Sequence, residues 1–587
     1  MSVSDPFGPA RTPIVRDVGR WHVGVFGAVL AIAALVHVPG LGAPLILDDY
    51  AQRAMAHGVI SPRRSAFDLY DYIDDGDRAF LFDCGAIPWW TNPRLTLRFL
   101  RPLSSALVWL DIRAFGYGSF GAHLHSLLWW AAAVVATYAL LRYLVTPRGA
   151  LFGAAGFAVA PSQAPPLLWV ANRDVLVATA FGTAGLLLYA RWRDRRRTTD
   201  AVLSGLMFGA AVLAGEYALC FAGYVFAMEL VRRKEPVFRR LTGGLPFAVP
   251  AAAYVFVFIG LHYGTRGSGF YRSPLDDMAS YALDAPRRAA VLVSAAWFGF
   301  DDVYWAAQPQ PAVILLGLGT IAVLAVPLCR VLRGLDERTR SQATWMLTGS
   351  VFALLPVLAA EPSIRVLDVS MVGVSGLVGL LLDRAAQRGT DKRSAGRDLT
   401  VVVAIALGLA HYVRGPVDTV RASRQYIEAV TGFDKRMAWL RAHLDRSKST
   451  VLVLRADSPP ATLWMPFKLR DWAPARWRVL SFRAGLMTAI RRGPRTLEIT
   501  SRDHPLFPTG PFDLFRSTDE LHSGDVVEVP GMRATLLQVD DKHAPKQVRL
   551  DFDVDLDDSS VQTLSEGESG FEEVALPAVN FGVRLVP

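Results

Sequence analysis

Asp48 and Asp49 stand side by side in the run LILDDYAQRAM, a short distance after an apolar stretch that ends near Val38. Two close carboxylates at the edge of a low-dielectric region repel, which raises the pKa of one of them. A carboxylate that keeps proton affinity near neutral pH can serve as a general base towards a hydroxyl. Adjacent residues point in different directions on a helix or a strand, so one acid is expected to face a reaction centre while the other orients a partner or the loop. The competing reading has both acids capping a helix N-terminus. Three arginines supply the opposite charge: Arg101 opening RPLSS, Arg173 in NRD and Arg365 in EPSIR. Guanidinium groups suit bidentate contact with phosphate, although at helix ends the same side chains also snorkel to lipid headgroups. Glu216 is a second acid that could meet an acceptor or a loop cation, and its plainer reading is a solvated turn residue. His123 and His125 begin an apolar run and are further candidates.

The elements that must position these groups are membrane helices. Of 587 residues, 52% are hydrophobic and 20% charged, and the mean hydropathy is +0.28, above what a soluble chain of this length carries. The net charge of +9 has its meaning in distribution rather than sum, because positive loops stay cytoplasmic. A nucleic-acid partner is therefore not indicated. Cys84, Cys220 and Cys329 show neither metal-ligand nor CxxC spacing, so no metal site and no disulfide framework is expected.

An apolar run from Val23 to Val38 reads as a retained first helix behind a cytoplasmic N-terminus, residues 1–20. Further candidates lie near 123–144, 150–168, 174–191, 201–215, 217–231, 244–262, 311–331, 343–360, 367–383 and 399–413, about eleven spans of roughly 20 residues or somewhat fewer. The Arg-rich loops at Arg148, 191–197, 232–240, 330–340 and 384–397 then fall on one side, the cytoplasmic one. The runs 201–215 and 217–231 are read as two spans, because a single unturned helix would place RRKEPVFRR outside. Residues 21–414 thus form a transmembrane domain with long outer loops at 44–122 and 263–310.

Loops of that length are commonly functional. Trp89, Trp90, Phe80 and Phe82 in the first suggest interfacial helices at headgroup level, with Arg94, Arg98 and Arg101 near lipid phosphates. The run DLYDYIDDGDR lacks a ligand oxygen at Ile73 for an alternating calcium pattern, and Asp68, Asp71, Asp74, Asp75 and Asp77 read as a solvated acidic loop. Asp301 and Asp302 are a second acid pair, in the other long loop. From 415 to 587 the chain turns polar, with a helical start and short alternating runs such as VLVLRAD, DVVEVPG, ATLLQVD and QVRLDFDVDL. That pattern predicts a soluble, β-rich α+β domain on the outer side, and it shows no nucleophile motif or phosphate loop.

Several pieces occur in order: LDDY after the first span, RPLSSALVWLDIRAFG, HLHSLLWWAAAVVATYALLRYL, AVAPSQAPPLLWVANRDVLVATAFGTAGLLLYARWR, AGEYAL and AAEPSIRVLDVSMVG. Over about residues 20–385 this order resembles the membrane part of the GT-C glycosyltransferases, most of all the transmembrane and tetratricopeptide-repeat O-mannosyltransferases and their bacterial relatives. No such repeats follow here, and the family's basic residue before the glutamate is Gly215 in this chain.

The resemblance implies a multi-pass protein of the bacterial inner membrane with a periplasmic C-terminal domain. It would move a sugar from a polyprenyl-phosphate-linked donor to an acceptor hydroxyl of protein, lipid or glycan on the outer face. Asp48 would be the base, with Asp49 its companion, Arg101, Arg173 or Arg365 would hold the donor phosphate, and Glu216 would meet the acceptor. No cofactor is evident; a divalent cation bridging phosphate and Asp48 stays open. The rival class is a non-catalytic transporter or assembly scaffold, and a transporter would need ionisable residues facing a path within the spans.

Overall fold

The computed structural model describes residues 20–60, 64–232, 235–271, 274, 277–389, 399–508, 513–516, 521–541, 543–567 and 570–586. The cytoplasmic N-terminus expected at 1–20 and the Arg-rich loop at 384–397 lie largely outside them. The chain divides into two compact units, one holding the described residues of 1–43, 100–262 and 273–427, the other those of 44–99, 263–272 and 428–587.

The first unit is helical. Among the described residues seven helices are long and apolar enough to cross a membrane, eight if the pair Val237–Gly243 and Leu245–Gly260, bent by 55°, is one span. This is a polytopic α-helical membrane fold, and the difference from eleven has local causes. The stretch 150–168 holds Pro161, Pro165 and Pro166, so Pro147–Ala158 stops after 12 residues and a 3-10 turn and a five-residue helix follow. The stretch 217–231 begins as a 3-10 turn, Glu216–Cys220, which leaves an 11-residue helix Phe221–Val231. Its predecessor Thr198–Ala214 has 17 residues. Conversely, the last span runs on: Leu399–Leu409 passes through a π turn at Ala410–Arg414 into Gly415–His443. Pro416 removes the N–H that would bond back one turn, and the helix widens there instead of ending.

Without water to drive them together, membrane helices associate through close backbone packing at small residues. Asp368–Gly389 meets Pro147–Ala158 in this way. A Cβ on Gly379 would lie 2.2 Å from the Gly149 carbonyl oxygen, and one on Gly153 2.9 Å from that of Ser375. Gly379→Ala is therefore expected to cost about 1–3 kcal/mol through overpacking, read as a lower thermal midpoint in detergent. Gly24→Ala, where a Cβ meets nothing within 4 Å, is the control and should not lower it.

The second unit is β-rich. A six-stranded antiparallel sheet runs in the order Gly582–Leu585, Met487–Gly493, Thr496–Ser501, Pro545–Phe552, Met532–Val539, Val526–Val529. A four-stranded sheet pairs Thr450–Val453 in parallel with Arg476–Val479 and Val561–Gly567. The alternating runs of the sequence are these strands; the short VLVLRAD run is a parallel strand buried at every position from Thr450 to Val453. A three-stranded antiparallel sheet joins Asp71–Ile73, Thr96–Arg98 and Gly264–Arg266, so pieces of both long loops build one element.

Two expectations about the first loop are corrected. Trp89 and Trp90 are 2% and 1% exposed rather than laid along an interface. Trp90 stacks on Phe507 at 4.8 Å, and the Trp89 indole N–H donates to the Leu480 carbonyl at 3.2 Å. Residues 44–99 supply part of the core of the C-terminal unit, which buries Trp89 and Trp90, whereas Phe80 and Phe82 are partly exposed. Nor is the acidic run solvated throughout: Asp75 is exposed, but Arg98 forks onto Asp71 (3.0 and 2.9 Å), and Arg64 bonds Asp77 and lies within 3.4 Å of Asp74.

Burial pushes the Asp77 carboxyl up to about 7, against the pull of Arg64. A carboxyl with a folded pKa above its unfolded value binds more protons folded than unfolded, so its contribution to stability grows as pH falls from about 7 to about 4. Urea midpoints of wild type minus Asp77→Asn should rise as pH is lowered through that window. A flat difference would sink this account.

Candidate active site

The acid pair opens the helix Asp48–Ala56 of the second unit. Leu47 before it has φ 35° and ψ −109°, a conformation a branched residue adopts only when its surroundings impose it. The two acids are treated differently. Asp49 is fully buried, and its Oδ2 accepts from the Ile46 N–H at 3.0 Å, closing the turn that leads into the helix. Arg53, also fully buried, donates to the Asp49 carbonyl at 3.0 Å. Asp48 is half-buried, and its Oδ1 accepts from the Trp464 indole N–H at 2.9 Å.

In the first unit Arg101 stands at the N-cap of Pro102–Phe115. Its Nη1 lies 3.1 Å from Asp174 Oδ2, its Nε donates to Glu216 Oε2 at 3.0 Å, and its Nη2 donates to the other Glu216 oxygen. Gly215 is what makes room: a Cβ there would fall 3.1 Å from Asp174 Oδ2 and 3.6 Å from Arg101 Nε. The positive charge beside Glu216 thus comes from Arg101, not from the residue preceding the glutamate. Arg365, in the 3-10 turn Ile364–Val366, sits over the Trp169 ring at 5.8 Å and bears electrostatically on Asp174. Asp302 holds that turn, accepting the Ile364 N–H at 2.7 Å, and burial raises its carboxyl. Beside the turn a cavity of about 400 Å³ is lined by Ala295, Phe300, Leu367, Met371, His411 and Arg414, among others.

Arg173 occupies a different place. It is 1% exposed, with Asp111 at 2.5 Å, the Ser126 hydroxyl at 2.8 Å and the Ala122 carbonyl at 2.9 Å around its guanidinium. Asp111 also holds His125 Nδ1 at 2.7 Å, and the Trp129 indole N–H donates to His125 Nε2 at 3.0 Å. His123 is buried with Nδ1 2.9 Å from the Leu167 carbonyl. This group locks three helices together and aims the next residue, Asp174, at Arg101. Asp174, Asp111 and Trp464 are the members sequence reading passed over. The first two stand inside quoted motifs as the acids beside an arginine and below a histidine; Trp464 lies 416 residues from its partner Asp48, and no local pattern signals it.

Among the described residues no group of three or more His, Cys, Asp and Glu side chains is placed to hold a metal ion.

No family model matches the chain, and no curated protein matches it in sequence. Among solved structures it is similar to ArnT from Cupriavidus metallidurans bound to undecaprenyl phosphate, at 14% identity and a TM-score of 0.42, covering 76% of this chain and 85% of that one. It is similar to the Archaeoglobus fulgidus oligosaccharyltransferase tethered with an acceptor peptide, at 15% identity and a TM-score of 0.42, covering 79% of this chain and 64% of that one. The same holds for the archaeal oligosaccharyltransferase AglB in complex with an inhibitory peptide and a dolichol-phosphate, at 14% identity and a TM-score of 0.40, covering 78% of this chain and 64% of that one. The residue roles below rest on this chain's own geometry.

Proposed function

We propose that the chain is a glycosyltransferase of the bacterial inner membrane that moves a sugar from a polyprenyl-phosphate-linked donor to an acceptor hydroxyl on the outer face, with the C-terminal domain periplasmic. The observation that carries the reading is the division of the acid pair. Asp49 is consumed by its own helix, and Asp48 is presented half-buried on a strained backbone and aimed by an indole N–H.

In the reaction the acceptor oxygen attacks the anomeric carbon, its proton passes to the Asp48 carboxylate, and the bond from that carbon to the phosphate oxygen breaks. The electron pair leaves with polyprenyl phosphate, which needs positive charge as it departs. Arg101 and Arg365 are assigned that role. Glu216, at the outer edge of the Arg101 cluster with its side chain 29% exposed, is assigned to the acceptor. The cavity next to the Arg365 turn is mixed, lined by Phe300, Leu367 and Met371 together with Asp301, Asp302, Asp418, Arg414 and Arg421, and is assigned no part of the donor. The proposed base belongs to one unit and the arginines assigned to the phosphate to the other.

The experiment supplies the purified protein in nanodiscs with a panel of undecaprenyl-phosphate sugars and a cell-envelope extract and measures free undecaprenyl phosphate. Release by wild type is the expected result. No release from any donor would favour a transporter or scaffold.

A further inference from the structure

The cavity beside the turn Ile364–Val366 has two walls of opposite charge, and both belong to the first unit. One wall is the long helix that begins at Leu399. At its π turn, Ala410–Arg414, the backbone widens, and Ala410, His411 and Arg414 line the space, with Asp418 and Arg421 further along. Asp418 divides its carboxylate between the two arginines, 3.0 Å from Arg414 Nε and 3.4 Å from Arg421 Nη1, so this wall keeps a net positive charge. The other wall is the end of the helix Met278–Phe298 followed by Asp301 and Asp302. A helix C-terminus carries partial negative charge, and the two carboxylates add to it. Asp302 holds the Ile364 N–H. Asp301 is exposed; its Oδ1 accepts the Tyr304 N–H at 2.7 Å, and among the described residues no cation pairs with it.

The same helix sets the depth of the cavity in a bilayer. Val402, Ile405, Leu409, Val413 and Val417 are each half exposed or more, an apolar stripe of helical period that faces lipid and stops at Val417. The exposed residues that follow are Arg421, Arg424, Gln425 and Glu428. At 1.5 Å per residue Arg414 and Arg421 stand about 22 and about 33 Å along the helix from Leu399, which brackets the far boundary of a hydrocarbon core of about 30 Å. The cavity therefore lies where lipid headgroups begin.

We infer that this cavity binds a zwitterionic aminophospholipid of the membrane, its phosphate held by Arg414 and Arg421 and its ammonium by Asp301 and the end of Met278–Phe298. Guanidinium groups suit phosphate oxygens, and a primary ammonium brings three donors to carboxylate and carbonyl oxygens. An anionic headgroup would set like charge against Asp301 and Asp302. Phe300, Leu367 and Met371 give the cavity an apolar surface for the upper acyl segments. Ile364 and Leu367, on either side of Arg365, are in the lining too, so the bound lipid would brace that turn. Binding is measured without turnover, so the outcome does not depend on whether the chain is a glycosyltransferase.

The full-length protein is stripped of lipid in detergent and titrated with phosphatidylethanolamine, phosphatidylcholine, phosphatidylglycerol or undecaprenyl phosphate, and bound lipid is counted by native mass spectrometry. The expected result is one phosphatidylethanolamine per chain, held about tenfold more tightly than the other three, as one charge-assisted hydrogen bond would give. Arg421→Gln, or Arg414→Gln should the first be unstable, lowers affinity for phosphatidylethanolamine and phosphatidylcholine alike by about tenfold. Asp301→Asn, whose amide oxygen can still accept the Tyr304 N–H, brings phosphatidylethanolamine down to the level of phosphatidylcholine. Arg333→Gln, exposed at the end of another span, leaves binding unchanged. Equal retention of all headgroups, or equal retention by every variant, means annular lipid only and overturns the inference. Preference for phosphatidylglycerol overturns it by showing that the positive wall acts alone, and preference for undecaprenyl phosphate overturns it by giving the cavity to that lipid.

Discussion

Asp48→Asn is expected to lower turnover by about 10²–10⁴-fold, the range that loss of a general base produces, without a lower melting temperature. The side chain is half-buried, its neighbour Trp464 can still donate to the amide oxygen, and the helix it opens is closed by Asp49 instead. The loss should appear equally in kcat and kcat/KM, because proton transfer belongs to the transition state and not to substrate binding.

Asp49→Asn should behave in the opposite way. Its amide oxygen can still accept the Ile46 N–H, so turnover stays close to wild type, whereas Asp49→Ala abolishes that bond and costs about 1 kcal/mol of stability. The pattern across three variants discriminates where one would not. If Asp49→Asn is inactive and Asp48→Asn turns over normally, the base is the buried acid and the division of labour is reversed. If both Asn variants turn over normally, neither is a base.

What the sequence made legible follows from the range over which each signal acts. Long apolar runs such as 119–144 and 310–333 carry their own evidence, since length and composition alone decide whether they can span. The strands Val526–Val529 and Met532–Val539 were visible through period-2 alternation and turn residues. Spans failed where a local backbone rule overrode hydropathy: the prolines at 161, 165 and 166 break an apolar run that a window average treats as continuous.

The loop aromatics failed for another reason. Trp89 and Trp90 have the composition of interfacial anchors, and only the long-range contacts with Leu480 and Phe507 show that they are core. The same limit applied at the site. The acid pair announced itself by position after the first span. Which acid is buried, and which indole holds the other, depends on a contact that no spacing encodes.

The charge pair Arg173–Asp111 tests how far the arginines of the sequence motif should be read as phosphate ligands. Replacing Arg173 by Met alone leaves Asp111 buried against His125, and replacing Asp111 by Leu alone leaves a guanidinium enclosed with only neutral acceptors. Either change is expected to destabilise the protein by about 3–5 kcal/mol, the cost of stranding one member of a buried pair. The double variant Arg173→Met with Asp111→Leu should recover most of that loss, because both desolvation penalties disappear together. Thermal midpoints in detergent read the cycle, and donor turnover by the double variant reads the function. A structural Arg173 predicts a double variant that folds and still releases undecaprenyl phosphate, since Arg101 and Arg365 remain. A double variant that folds as well as wild type but has a sharply raised KM for the donor would return Arg173 to the phosphate site. The proximity of Arg173 to Asp174 in the chain would then mean that the buried network opens when the donor binds.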